Sequence, residues 1–253
     1  MKRKKIFLLL IIAGFMTLTV VMLPIFLKKP YFIHINNNAD LESWSSSGSG
    51  TVDDPYIIEY HHISVPRNDY DDFDTPCIPE KSVISICGVT KSFIIQNNVI
   101  EVKGGCEGQY IIKISDVSVP FTIRNNILRG GLYAYCIKLE DIDGQGSLVS
   151  NNYLYEGSTS LKNVNDISFN ENKFSTRGNA FGFYTDNSTN VNLIHNSYFL
   201  YPVYFKQCSY VLIERNTFEN DEDYSGWTLL GIKDTEYYTI TNNNFIRGNM
   251  SID

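Results

Sequence analysis

One short motif returns along most of this chain, and it constrains the fold more than any other feature. The motif is apolar-x-x-Asn-x-apolar, as in FTIRNNIL (121–128). Its asparagine occurs seven times, as Asn98, Asn126, Asn152, Asn172, Asn196, Asn216 and Asn243. The intervals between successive copies are 28, 26, 20, 24, 20 and 27 residues. Self-similarity at such a spacing is the signature of a repeat architecture.

A second motif lies upstream of each copy and reads apolar-x-apolar-x-x-(apolar or small). Its second apolar residues are Ile86, Ile114, Leu139, Leu161, Phe183, Phe205 and Ile232. Neither motif has helical spacing. Apolar residues alternate over three to five positions and are then interrupted by Gly, Asn or Asp, which is typical of short strands.

Units of this length hold short strands and no helix, so each must bury its apolar side against the next. Stacked coils whose strands pair in parallel achieve this, and a propeller blade would need about 40–45 residues. The prediction is an all-β fold, a parallel β-helix of about seven to eight coils. The seven asparagines would then form a hydrogen-bonded ladder at an inward bend, with coils about 4.8 Å apart.

The first residues form a separate segment. MKRKK precedes an uncharged run of 22 residues (6–27), and two lysines follow it. About 20 apolar residues span a bilayer, so we predict a transmembrane signal-anchor rather than a cleaved signal peptide. Four basic residues before the run and two after it orient the N-terminus to the cytoplasm and the rest of the chain outside.

The motifs divide the chain into four parts. These are a basic tip with the anchor (1–29), an N-terminal cap with a first strand (30–64), an acidic loop (65–82) and the β-helix (83–253). The net charge of −7 argues against a nucleic-acid partner. Five cysteines in a compartment that permits disulfides leave at least one thiol unpaired, and Cys77 with Cys87 is the favoured pair.

The motifs over residues 83–245, with the opening segment SGSGTVDDPYIIE (47–59), resemble the right-handed parallel β-helix repeat proteins. Within them the chain is similar to the NosD-like group and to pectate-lyase-like solenoids. The resemblance implies a right-handed solenoid. It does not determine an activity, because lyases, hydrolases, epimerases and binding proteins share this fold.

The outward side of the upstream strand is the first candidate site. Polysaccharide-active enzymes that the chain resembles bind glycans along such a face, where tyrosines stack on sugars and lysines pair with uronates. The candidate ligand-binding residues are Lys113, Lys138, Tyr184, Tyr204, Lys206 and Lys233. The candidate catalytic residues are Lys138, Glu140, Lys162 and Tyr184. Lysines also protect exposed sheets from aggregation, so a purely structural role remains an alternative.

Metal sites have weaker support. Asp69, Asp71 and Asp74 echo a calcium loop, but Asp74 stands where an EF-hand needs glycine, so only a looser Ca²⁺ site stays open. The copper role of NosD would require soft ligands. His34, His61, His62 and His195 are scattered, and Met250 is the only methionine far from the anchor. The copper role is therefore not carried over.

Solenoids need caps at their ends, and few residues follow the last motif, so we expect a partner or a second copy at the C-terminal coil. The leading prediction is a single-pass membrane protein whose extracytoplasmic β-helix binds a glycan or a surface protein without catalysis. The alternative is a polysaccharide lyase, hydrolase or epimerase that uses the strand face.

Overall fold

A computed structural model of the chain describes residues 32–65, 82–103, 108–131, 134–176, 182–221 and 227–253. These residues contain strands on three faces that run the length of a solenoid. The first face comprises β1 (Ile33–Ile35), β4 (Ser82–Cys87), β7 (Tyr110–Val117), β10 (Tyr135–Ser150), β12 (Ser158–Asn170), β14 (Phe183–Asp186), β17 (Val203–Lys206), β20 (Thr228–Lys233) and β23 (Asn249–Ile252).

The second face comprises β2 (Tyr56–Glu59), β5 (Phe93–Gln96), β8 (Phe121–Arg124), β15 (Thr189–Ile194), β18 (Ser209–Glu214) and β21 (Glu236–Thr241). The long strands β10 and β12 continue from the first face into the second. The third face comprises β3 (His62–Val65), β6 (Val99–Val102), β9 (Ile127–Arg129), β11 (Tyr153–Tyr155), β13 (Lys173–Ser175), β16 (Ser197–Phe199), β19 (Thr217–Glu219) and β22 (Asn244–Ile246).

Each strand pairs in parallel with its equivalent one coil later, so the predicted parallel β-helix is confirmed for the described residues. Ile86 pairs with Ile114, for example, and Ile114 with Leu139. The third face is a sheet of eight strands, which agrees with the expected seven to eight coils. Equivalent positions therefore form columns along the axis, and the inward columns make one continuous core.

One inward column corrects the alignment of the upstream motif. The motif placed Phe183 level with Phe205, but Phe183 pairs with Val203 and Thr185 pairs with Phe205. Thr185 is buried, and its hydroxyl has no hydrogen-bond partner among the described residues. The motif requires an apolar residue at this position. It therefore selected Phe183 instead of the buried Thr185 and was two residues out of register in this coil.

The asparagine ladder explains why so many motifs contain two adjacent asparagines. The first, such as Asn125, has a φ of 55°, in the left-handed region that asparagine tolerates better than most residues. The second, such as Asn126, is buried, and both its backbone N–H and its Nδ2 donate to Oδ1 of Asn152 at 3.0 Å. The same two bonds link each ladder residue to the next, from Asn98 to Asn243.

Large apolar side chains two positions after the ladder stack inside the third face. Phe174, Tyr198, Phe218 and Phe245 follow one another with ring centroids 4.7–4.9 Å apart. These contacts bury aromatic surface over four successive coils, and offset stacking of this kind adds about 0.5–1.5 kcal/mol per pair beyond burial.

The segment expected as a cap contains a coil of its own. Its three strands, β1 to β3, pair with β4 to β6. Between β1 and β2 lies the helix α1 (Asn38–Trp44), which the sequence reading did not include. Oδ1 of Asn37 accepts a hydrogen bond from the N–H of Asp40 and caps its first turn, and Leu41 anchors it in the core.

No helix among the described residues is long and apolar enough to cross a bilayer. The predicted anchor (6–27) and residues 66–81 of the predicted acidic loop (65–82) lie outside the described residues, and so do Cys77 and Cys106. The two end residues of that loop, Val65 and Ser82, lie in β3 and β4. Cys87, Cys136 and Cys208 are free thiols.

Candidate functional site

The outward residues of the first face fall into two columns. Strand pairing aligns one outward residue of each coil with that of the next. The first column, called row one, contains Ser85, Lys113, Lys138, Ser160, Tyr184, Tyr204, Gly231 and Ser251. Row two, two positions later in each strand, consists of Cys87, Ser115, Glu140, Lys162, Asp186, Lys206 and Lys233. The expected stripe of lysines is thus divided between two rows, and the two predicted tyrosines are direct neighbours in row one.

Lys138 lies in a small cluster on the early coils. Its Nζ is 3.1 Å from Oε2 of Glu140 and 5.1 Å from the ring centroid of Tyr110. Lys113 approaches the same ring at 5.6 Å. Burial lowers the pKa of Lys138, but the hydrogen bond to Glu140 and the Tyr110 hydroxyl outweigh it, and the net shift is upward. Lys138 therefore stays protonated at neutral pH and is a donor rather than a base.

The four candidate catalytic residues do not converge. Lys138 and Glu140 share a strand, Lys162 is one coil later beside Glu140, and Tyr184 is two coils beyond Lys138. Burial, then the neighbouring Tyr204, raises the pKa of Tyr184, so its phenol also stays neutral at ordinary pH. General bases work best when the pKa lies near the operating pH, and both shifts move away from it.

A groove opens at the later coils of the first face. It has a volume of about 390 Å³ and includes Tyr184, Tyr204, Gly231 and Ser251 of row one, together with Thr228 of β20. This volume lies in the range of about 300–1,000 Å³ that is usual for ligand sites. The rings of Tyr184 and Tyr204 stack at 5.4 Å with an interplanar angle of 12°, so they form one aromatic wall.

Gly231 leaves space for that wall. Tyr204 is its register neighbour, and a Cβ at Gly231 would lie 2.5 Å and 2.7 Å from two ring carbons of Tyr204. No real Cβ tolerates such contacts, so any side chain at this position would displace the ring. Sequence reasoning did not include Gly231, although a glycine at an outward strand position beside Ile232 is a signal that could have found it.

Charged groups line the side of the groove. Asp186, Lys206, Lys233 and Asp253 come from successive coils. Among ion pairs between described residues, none involves Lys206 or Lys233. Oδ1 of Asp186 is buried and has no hydrogen-bond partner among the described residues. Buried polar atoms ordinarily have partners, so this wall has hydrogen-bonding capacity that the described side chains do not use.

Comparisons with known proteins agree with this fold. The family model of the periplasmic copper-binding protein NosD matches residues 69–253. The chain belongs to the NosD family. No sequence among curated proteins matches it significantly.

Solved structures resemble this NosD-family chain at the level of fold. The DFA-IIIase of Arthrobacter chlorophenolicus A6, without its lid, superposes with a TM-score of 0.56 at 14% identity, over 83% of this chain. The chain spans 57% of the length of that enzyme. The A-module of the mannuronan C-5 epimerase AlgE4 from Azotobacter vinelandii gives a TM-score of 0.35 at 11% identity, over 88% of this chain and 95% of that chain.

The name of the NosD family raises the question of copper. Copper sites use imidazole, thiolate and thioether ligands. Within the described ranges, no group of three or more His, Cys, Asp and Glu residues could hold a metal ion. His34 and His62 are exposed on different faces of the first coil, and His195 is exposed several coils later. The ring of His61 lies 6.3 Å from that of Trp44. These donors do not fit a copper site. The calcium candidates Asp69, Asp71 and Asp74 lie outside the described residues.

Proposed function

We propose that this NosD-family protein is an extracytoplasmic β-helix module that binds a glycan in the groove of the first face without chemical turnover. The observation that carries the proposal is the groove itself, which is lined by two stacked tyrosines and four charged residues. Sugar rings present apolar C–H faces and a rim of hydroxyls. They therefore suit a site that pairs aromatic surface with a few polar groups.

The length of row one along the solenoid axis favours a chain-like ligand over a compact one. Row one continues from the groove through Ser160 to the lysines at 138 and 113. Successive residues of this row are about 4.8 Å apart because coils have the spacing of paired strands. A glycan aligned with the solenoid axis would thus meet a new side chain at each coil.

Binding without catalysis accounts for the pKa directions. The pKa values of Lys138 and Tyr184 are both raised, which keeps the lysine charged and the phenol neutral. Glu140 is already engaged by Lys138 at 3.1 Å. A lyase, hydrolase or epimerase that used these residues with Lys162 would need a free base among them, so the enzyme is the second candidate.

We also propose that residues 6–27 anchor the protein in a membrane, with the β-helix on the extracytoplasmic side. The apolar length of this segment supports an anchor, and the periplasmic description of the NosD family supports the location. Alkaline carbonate extraction of membranes tests the anchor, and protease added to intact cells or spheroplasts tests the side. Release by carbonate would reject the anchor, and a β-helix cleaved only after lysis would reject the location.

A glycan array probed with the purified protein tests the central proposal. We expect retention on oligosaccharides, lost in Tyr204→Ala and kept in Tyr204→Phe, with no product by mass spectrometry after prolonged incubation. Product formation that Lys138→Ala and Glu140→Ala abolish would establish the enzyme instead. Absence of any binding would leave a purely structural surface role.

A further inference from the structure

Row two of the first face alternates in charge over four successive coils, from Glu140 to Lys206, and Lys233 follows Lys206. Glu140 pairs in register with Lys162, Lys162 with Asp186, and Asp186 with Lys206. Asp186 therefore lies between two lysines, about 4.8 Å from each along the backbone, and Glu140 lies between Ser115 and Lys162. The first face does not present the uniform positive charge that a polyanion would require.

The groove itself repeats this balance. Asp186 and Asp253 provide acceptors, and Lys206 and Lys233 provide donors. A sugar hydroxyl both donates and accepts hydrogen bonds, so it can use a carboxylate and an ammonium group together. A uronate in the same place would approach Asp186, and like charges at close range disfavour binding.

We infer that the ligand of the first-face groove is an uncharged glycan, one of whose rings packs against the ring of Tyr204, which itself lies over Gly231. This inference rests on the proposed glycan-binding function and specifies the class of glycan. It differs from the expectation that lysines on this face pair with uronates, because Asp186 lies beside Lys206 in row two and lines the same groove.

Gly231 is the specificity-determining position in this proposal. The ring carbons of Tyr204 occupy the space of the missing side chain, at 2.5 Å and 2.7 Å from a Cβ built there. Gly231→Ala would push the ring into the groove. Because the residue is on the outward side of β20, this change alters the groove without removing a core side chain.

The test compares charged and uncharged forms of the same oligosaccharide by isothermal titration calorimetry with the full-length protein. The probes are hexasaccharides of 1,4-linked galactose and of 1,4-linked glucose, each as the neutral sugar and as the C6-oxidised uronate. The measurements are made at ionic strengths of about 0.01 and 0.15 M, where the Debye length falls from about 30 Å to about 8 Å.

We expect a neutral hexasaccharide to bind at least about tenfold more tightly than its uronate form, which is a difference of about 1.4 kcal/mol. Its affinity should change little with salt. Tight uronate binding that weakens at higher salt would overturn the inference while leaving the proposed glycan function intact. No binding of any probe in either form would reject both.

Three variants localise the effect. Gly231→Ala should weaken neutral-sugar binding about tenfold, whereas Lys173→Ala, at an exposed position on the third face, should leave it unchanged. Asp186→Asn removes one negative charge at constant size and should raise uronate affinity relative to neutral affinity. Neutral binding that survives Gly231→Ala, together with a charge preference that Asp186→Asn does not move, would place the ligand elsewhere.

Discussion

Removing one side chain from the asparagine ladder should destabilise the solenoid far more than an average substitution. Oδ1 of Asn152 accepts from the N–H and Nδ2 of Asn126 at 3.0 Å. The Nδ2 of Asn152 donates to the carbonyl oxygens of Ile123 and Ser150 and to Oδ1 of Asn172, at 2.8–3.0 Å. Asn152→Ala removes all five contacts at a site that is 2% exposed.

The magnitude follows from the groups that lose their partners. The buried N–H of Asn126 loses its acceptor, and the carbonyl of Ile123 loses a donor. Each unsatisfied buried group costs about 1–3 kcal/mol, so we expect Asn152→Ala to lower the free energy of unfolding by about 4 kcal/mol. A typical substitution costs about 1 kcal/mol.

The adjacent asparagine provides a matched control. Asn151 is exposed and has a φ of 55°, which glycine adopts without strain. Asn151→Gly should therefore change stability by no more than about 0.5 kcal/mol. Guanidinium unfolding followed by far-UV circular dichroism measures both variants. Equal losses in the two, or a loss of under about 1 kcal/mol in Asn152→Ala, would refute the ladder as a main source of stability.

Further predictions concern buried hydroxyls, a buried thiol and the last coil. Tyr198→Phe should stabilise the protein by about 1 kcal/mol because its buried hydroxyl has no hydrogen-bond partner among the described residues. In the same unfolding assay Tyr201→Phe should destabilise it by about as much, because that hydroxyl donates to the Gly157 carbonyl at 2.7 Å. Burial raises the pKa of Cys136 from 9.0 to about 12. Above about pH 9 the unfolded chain releases a proton that the folded chain retains, so the free energy of unfolding falls toward about pH 12. This fall should be less steep in Cys136→Ala. Equal slopes of unfolding midpoint against pH in the two proteins would contradict the prediction. Ile252 in β23 is 45% exposed, and we predict that the protein self-associates at this coil. Sedimentation should show the association, and Ile252→Lys should weaken it. A strictly monomeric protein would exclude self-association.

The sequence allowed the ladder and the strand faces to be predicted because both depend on local spacing. An asparagine two positions before an apolar residue occupies the same corner in every coil, so its column can be read from one motif. The phase of Thr185 could not be read in this way, because a buried threonine breaks the apolar pattern while keeping its alternation. The helix α1 was missed because its seven residues bury only Leu41 and give little periodic signal.

The tyrosines of the groove could be predicted from the sequence, but their stacking and the role of Gly231 could not, because both depend on which residues are neighbours in successive coils. Tyr184 and Tyr204 were candidates from their outward positions, but their stacking depends on the register that the Phe183 alignment had shifted by two residues. Gly231 contributes by lacking a side chain, which residue-type reasoning passes over.

Because each motif position becomes a column, the chemistry of this face depends on which residue types are neighbours along the axis. Lysines that look like one basic stripe in the sequence become neighbours of carboxylates in the structure, as Lys162 does of Glu140 and Asp186. The same set of residues in another register would attract polyanions. The ligand preference that we propose for the first face therefore depends on register, and a change that shifts the register of β14 by two residues should alter it without changing composition.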